Sequence, residues 1–276
     1  MYEKKRGKGP IKNKIKPPFF ISLGVVFIIL VCFVFFLRSD YLQIEGVTVS
    51  GNRILGEEEL ALLVKNITEE TYFHIIPKTS SILYPKKDIT NELLAYSARI
   101  KSVNITKEGL KKSVITISER EPLYVWCEGG AETEKKCLYI DADGIAFAFA
   151  PRFSPGIVFE FSNSDTEKKA LIGTEVIDPK DVLLINNFRF NLATSTPLSP
   201  IAARVLPSHD YEIETKEGPV VLFSKKEDPK RTAAILNTFF LSVPAKEVGF
   251  IERPGLLDRI DLRFGQKIFY TLSNRE

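Results

Sequence analysis

Ile44-Glu45-Gly46-Val47-Thr48-Val49-Ser50-Gly51-Asn52 alternates apolar and polar side chains until it meets a turn-forming Ser-Gly-Asn. A period of two marks a strand with one buried face, and the Gly-Asn pair marks where it stops. Shortly after it, Glu57-Glu58-Glu59-Leu60-Ala61-Leu62-Leu63-Val64 is rich in helix formers, with its acids in the first turn where the helix dipole favours them. Beyond a loop with Pro77, residues from about Ser80 to Ser97 read as a second helix interrupted by Pro85. Its expected buried set is Ile89, Leu93, Leu94 and Tyr96. Ile100, Val103 and Ile105 then fall on a strand and Val114, Ile115 and Ile117 on another, with Lys107-Glu108-Gly109 as the turn of the hairpin. Residues 42–120 are thus expected to form a β-α-α-β-β module, a three-stranded sheet covered by two helices.

Towards the N-terminus, the run from Phe19 to Leu37 contains no charge and only Ser22 and Gly24 interrupt its apolar character. At about 1.5 Å per residue a helix of that length reaches roughly 28 Å, near the ~30 Å core of a bilayer, so residues 19–38 are expected to be a single transmembrane helix. Lys4, Lys5, Arg6, Lys8, Lys12, Lys14 and Lys16 precede it against the single acid Glu3. By the positive-inside bias, residues 1–18 are expected to be a basic cytoplasmic tail resting on anionic membrane lipid, with the bulk of the chain outside. A cleaved signal peptide is the competing reading. Against it, the apolar block exceeds the usual h-region of about 7–15 residues, and Arg38-Ser39-Asp40-Tyr41 lacks a small-residue cleavage pattern.

The net charge of +3 hides a division. Residues 1–40 hold 8 of the 38 Lys/Arg and 2 of the 35 Asp/Glu, leaving residues 41–276 with 30 basic and 33 acidic groups. An exported part with that balance lacks the basic stripe that nucleic-acid binding requires. Cys32 lies in the apolar run, whereas Cys127 and Cys137 flank the polar, glycine-containing Glu128–Lys136 stretch. In an oxidising compartment that arrangement suits a disulfide-stapled hairpin, with free buried thiols as the alternative. Two thiols do not make a zinc site, and His74 and His209 lack ligand-like spacing, so no metal and no other cofactor is expected.

From Leu123 onward the pattern is mostly short strands: Leu123–Cys127, Leu138–Asp141, Ile145–Phe149, Ile157–Phe161, Ala202–Leu206, Tyr211–Thr215, Pro219–Ser224, Leu257–Phe264 and Lys267–Leu272. Asp178-Pro179 and Asp228-Pro229 each set an N-cap acid before a proline suited to the first helical turn, opening helices to about Asn191 and Leu241. Residues 121–272 are therefore expected to be an α+β domain, a mainly antiparallel sheet with two helices. Searches for catalytic signatures find no H-E-x-x-H, G-x-S-x-G, S-x-x-K or phosphate-cradling G-x-x-x-x-G-K. Acid clusters such as Glu57-Glu58-Glu59 read as solvated faces, and Asp141 and Asp143 as turn formers. The chain is not expected to be an enzyme.

Four stretches carry a family resemblance, in order along the chain. Ile44–Asn52 resembles the opening strand of the FtsQ/DivIB family of bacterial division proteins, and Ser118-Glu119-Arg120-Glu121-Pro122-Leu123-Tyr124-Val125-Trp126 resembles the E-R-x-P stretch by which that family leaves its POTRA domain. Tyr139-Ile140-Asp141-Ala142-Asp143-Gly144-Ile145-Ala146-Phe147 looks like its ID-x-x-G-x-x-F hairpin, and Leu257-Asp258-Arg259-Ile260-Asp261-Leu262-Arg263 like its DLR strand. One departure is visible: where family members often place a proline between the last two POTRA strands, this chain has Glu108-Gly109-Leu110-Lys111-Lys112.

The resemblance implies a POTRA domain at 42–120, an FtsQ-type β-domain at 121–272, and a location at the cell membrane and division septum. It implies a scaffold linking early cytoplasmic and late wall-synthesis components of division by protein–protein binding. The implied partners are small coiled-coil single-span proteins of the FtsB/DivIC and FtsL type, together with other division membrane proteins. Carried over by motif, Phe264 follows the DLR directly and Lys267, Ile268, Phe269 and Tyr270 lie on the strand after it, where such partners dock. Were that strand a sheet edge, its free backbone groups would template a partner strand. The competing reading makes Phe264, Ile268 and Phe269 core and leaves Lys267 to blunt an edge. A second functional reading is a POTRA-containing accessory of protein export or outer-membrane assembly, although that class usually repeats the POTRA unit or precedes a barrel, and neither pattern occurs here.

Overall fold

The computed structural model describes residues 17–128, 136–164 and 169–273. The basic tail up to residue 16 and residues 129–135 between the two cysteines lie outside the described residues. The chain divides into two units, residues 1–93 with 103–117, and residues 94–102 with 118–276.

In the first unit, α1 (Pro17–Leu37) is followed by β1 (Gly46–Ser50), α2 (Glu57–Thr68), the two-residue strands β2 (Thr71–Tyr72) and β3 (Ile76–Pro77), and α3 (Lys86–Tyr96). Two longer strands, β4 (Ile100–Glu108) and β5 (Lys112–Glu119), complete a three-stranded sheet in the order β1-β5-β4, with β1 parallel to β5. Helix α2 packs on β1 and buries Leu60, Val64 and Thr68, a stripe with the four-residue spacing of one helical face. Gly51 ends β1 at φ +84°, where an added Cβ would stand 2.2 Å from the Ile117 carbonyl oxygen, so no side chain fits the turn.

The expected transmembrane helix is corrected. A helix forms over that segment, but among the described residues no helix is long and apolar enough to cross a membrane. Apart from the half-buried Val34, the side chains over residues 21–36 are exposed, and Leu37 is wholly buried.

Two local expectations also change. Pro85 does not interrupt a helix; it precedes the first turn of α3, where a missing N–H is harmless, and its carbonyl accepts from Ile89 N–H at 3.0 Å. Ile89 and Leu93 are fully buried on α3, whereas Leu94 and Tyr96 are 39% and 46% exposed. Leu94 is one residue, about 100° round, from the buried Leu93.

The second unit is built on β6 (Tyr124–Glu128), β7 (Lys136–Ile140), β8 (Ala146–Ala150), β9 (Glu160–Asn163), α4 (Pro179–Ser195), β10 (Pro200–Val205), β11 (Tyr211–Thr215), β12 (Val220–Phe223), α5 (Pro229–Leu241), a short α6 (Val243–Val248), β13 (Leu257–Phe264) and β14 (Lys267–Leu272). All nine strands join one sheet in the order β14-β13-β12-β11-β10-β9-β6-β7-β8. Five neighbouring pairs are antiparallel, and β6/β9, β9/β10 and β12/β13 are parallel. The parallel pairs explain where the helices fall: β9-α4-β10 and β12-α5-α6-β13 are crossovers, which parallel neighbours require.

Asp178 and Asp228 cap the two long helices, accepting from Lys180 N–H at 2.8 Å and Arg231 N–H at 2.6 Å, with proline next in each. Both helices lay apolar residues on one face of the sheet. Phe188 of α4 stacks on Phe223 of β12 at 4.1 Å between centroids, and Ile185, Leu236, Phe240, Phe161 and Ile260 belong to the same buried cluster. Turning the sheet by one residue along any strand reaches the other face, which carries none of this unit's helices among the described residues.

Candidate partner-docking edge

β13 is an interior strand and β14 ends the sheet. Ile260 and Leu262 of β13 point into the core, so Arg259, Asp261 and Arg263 between and beside them lie on the helix-free face. Gly265 at φ +66° turns the chain, and β14 returns antiparallel with Ile260 opposite Tyr270, Asp261 opposite Phe269 and Phe264 opposite Lys267. The pairing shifts between Asp261 and Phe264 and again between Leu257 and Arg259, irregularities that bend and twist an edge ribbon.

Alternation along β14 splits the five sequence-singled residues between two faces. Ile268 is half-buried against the core, and Tyr270, 47% exposed, packs on Phe239 and Phe250 with centroid distances of 5.3 and 5.9 Å. On the other face Phe269 and Phe264, 54% and 56% exposed, meet edge to face at 5.3 Å. Lys267 is exposed beside the turn. Leu272, 57% exposed on the Tyr270 side, was not singled out from sequence, although its place two residues beyond Tyr270 in an alternating strand was a usable signal.

The helix-free face beside Phe269 is charged but internally neutralised. Arg263 forks onto Asp261, with Nε–Oδ1 at 2.9 Å and Nη2–Oδ2 at 2.7 Å, and its Nη1 stands 3.5 Å from Asp210. Arg204 pairs with Glu212 and Glu214 at 3.1 and 3.2 Å, and Arg259 lies 3.8 Å from Glu212. Burial pushes the Asp261 carboxyl up, but the hydrogen bonds from the Arg263 side chain and backbone, with Arg259 nearby, outweigh it and hold the group below the ordinary carboxylate range. With those charges mutually engaged, the aromatic side chains are the main chemistry this edge offers to a partner.

The opposite edge of the sheet differs. A segment at 173–176 lies on the start of β8: Gly173 N–H donates to the Ala146 carbonyl at 2.7 Å, Ala146 N–H to Thr174 at 3.0 Å, and Val176 N–H to Gly144 at 2.9 Å. That edge is partly capped by its own chain, a usual protection against strand pairing. The sheet order shows no strand beyond β14 among the described residues.

Cys127 and Cys137 are directly opposite on β6 and β7 and are joined by a disulfide, with Cα atoms 4.2 Å apart. They sit with Val125, Tyr139, Ala150 and Val158 on the helix-free face and line a pocket of about 390 Å³ that Arg152, Glu160 and Glu214 also border. Among the described residues no cluster of three His, Cys, Asp or Glu side chains is placed to hold a metal.

No protein-family model matches the chain, and no curated protein matches it.

Proposed function

We propose that this chain is a non-catalytic scaffold of the FtsQ/DivIB kind, which gathers cell-division proteins outside the cytoplasm by binding them along β14. The observation that carries this reading is that β14 ends a nine-stranded sheet with exposed apolar side chains on both of its faces. An added strand would gain main-chain hydrogen bonds from the edge and side-chain contacts from Phe264 and Phe269 on one face and Tyr270 and Leu272 on the other. Anchors of this aromatic kind typically concentrate binding energy. The partners are small coiled-coil division proteins of the FtsB/DivIC and FtsL type and other division membrane proteins. The Cys127–Cys137 bond supports work in an oxidising compartment.

The test is capture from solubilised membranes by the full chain, comparing the unsubstituted protein with Phe269→Lys after circular dichroism has shown both folded. Capture of small coiled-coil division proteins by the unsubstituted chain alone is the expected result. Equal capture by both moves the site away from β14, and retrieval of export machinery in place of division proteins overturns the reading.

A further inference from the structure

Val125, Glu160, Ala202 and Glu214 stand side by side across the neighbouring strands β6, β9, β10 and β11. Residues in such a row project from one face of a sheet, here the helix-free one. Ala202 is the small member, so the row dips between two glutamates. Arg204 reaches Glu214 at 3.2 Å but is shared with Glu212, and a carboxylate with about four lone-pair sites keeps room for another donor.

The connection from β8 to β9 roofs this row. Gly156, at φ +84°, passes so near β10 that an added Cβ would stand 3.2 Å from Ile201 Cγ2, and Phe153 meets Tyr139 with ring centroids 6.2 Å apart. Floor and roof enclose the pocket of about 390 Å³, a size suited to a small ligand or one peptide residue. Val125, Val158, Ile201 and the Cys127–Cys137 bond give it apolar walls. Its charges enter from different sides. The glutamates stand on β9 and β11, whereas Arg152 lies two residues beyond Ala150, which pairs with Cys137 on β7. Two strand spacings, roughly 10 Å, separate β9 from β7. Among the described residues Arg152 makes no ion pair.

We propose that this pocket binds the C-terminal lysine of a partner peptide, with the carboxylate on Arg152, the ammonium at Glu160 and Glu214, and the methylene stem along the apolar wall. A guanidinium holds a carboxylate bidentately, and an alkyl stem ending in an ammonium uses apolar wall and acids together. Capture of a chain terminus is a recurrent mode of peptide recognition. A lysine inside a peptide would leave Arg152 unused, and an apolar C-terminus would leave the glutamates unused. The site lies on strands other than β14, so it stands or falls independently of partner binding there.

Calorimetric titration of the full chain with three probes tests both ends of the ligand. Nα-acetyl-lysine carries both charged groups, its amide lacks the carboxylate, and Nα-acetyl-norleucine lacks the ammonium. The first should bind about ten- to a hundredfold more tightly than either of the others, the usual worth of a hydrogen bond to a charged group. Equal affinity for the three, or no binding of Nα-acetyl-lysine, overturns the proposal. Arg152→Gln should weaken Nα-acetyl-lysine to the level of its amide and leave the amide unchanged, and Glu214→Gln should weaken it towards Nα-acetyl-norleucine. Unchanged affinity of Arg152→Gln for Nα-acetyl-lysine also overturns the assignment. The series of probes needs no substitution, so it decides even where a variant fails to fold.

Discussion

Arg120 Nη1 stands 2.6 Å from Oδ2 of Asp141, in a pair whose side chains are 17% and 5% exposed. Asp141 Oδ1 also accepts from Asp143 N–H at 3.0 Å and Ile145 N–H at 3.1 Å, and Arg120 Nε donates to the Ala98 carbonyl at 3.1 Å. The arginine of Glu119-Arg120-Glu121-Pro122 and the aspartate of the Tyr139–Phe147 stretch are therefore two halves of one tie. They order a turn; neither faces the β14 edge.

Arg120→Ala leaves the Asp141 carboxylate buried without its cation. A loss of roughly 3–5 kcal/mol is the usual size for breaking such a pair, reduced here because two backbone N–H groups still engage the carboxylate. Urea denaturation of the variant should show a large drop in midpoint. Arg120→Lys should recover only part of it, because an ammonium cannot reach both Asp141 and the Ala98 carbonyl as the guanidinium does.

Three glycines with positive φ should respond differently to alanine. At Gly144 an added Cβ would meet the Ile177 carbonyl oxygen at 1.9 Å, and at Gly51 the Ile117 carbonyl oxygen at 2.2 Å, whereas at Gly109 nothing lies within 4 Å. Gly109→Ala should cost about 1 kcal/mol, the backbone penalty alone. Gly144→Ala and Gly51→Ala should cost several-fold more or prevent folding, since backbone must move. Thermal melts of the three variants in parallel give the ranking, and a Gly109→Ala effect as large as the other two would refute this account.

Removing the disulfide by Cys127→Ser/Cys137→Ser should lower stability by about 2–3 kcal/mol, in line with closing a short loop. Thiol titration of unreduced, denatured protein should find one reactive group, Cys32. Three would contradict the bond.

The Asp261–Arg263 fork gives a pH signature. Because the folded-state pKa of Asp261 is depressed, its contribution is fully present above the unfolded value of about 3.9 and disappears as pH falls through the folded one. Asp261→Asn should therefore be less stable than the unsubstituted chain near about pH 7, and the gap should be smaller at about pH 3, below the unfolded value. Denaturant midpoints at both pH values measure it; a gap independent of pH would mean that the charge is not what the fork uses.

What could be read locally was legible. The alternation of Ile44–Ser50, Tyr211–Thr215 and Lys267–Leu272 and the Asp-Pro starts of α4 and α5 depend only on side-chain period and on who satisfies the first N–H groups of a helix. The tight turn of β2 and β3 was not visible, because Phe73-His74 is not a sequence that signals a left-handed pair. Leu94 was placed in the core by its hydrophobicity, although a helix buries by angle as well as by residue type.

The amino-acid sequence by itself determined which segments extend, which coil, where Gly51 and Gly144 must turn and which cysteines flank one loop, since each of these follows from interactions within a few residues. Only the tertiary structure decided that the strands beyond residue 120 merge into one sheet with three parallel pairs, that Arg120 finds Asp141, and that β8 is capped while β14 stands at the end. Those facts turn on which strand lies beside which, and partners distant in the chain are chosen by burial of the whole apolar face at once. The same physics put Phe264 and Phe269 on one face of the edge and Tyr270 on the other, a division that the period of two foreshadows and that only the position of the core makes definite.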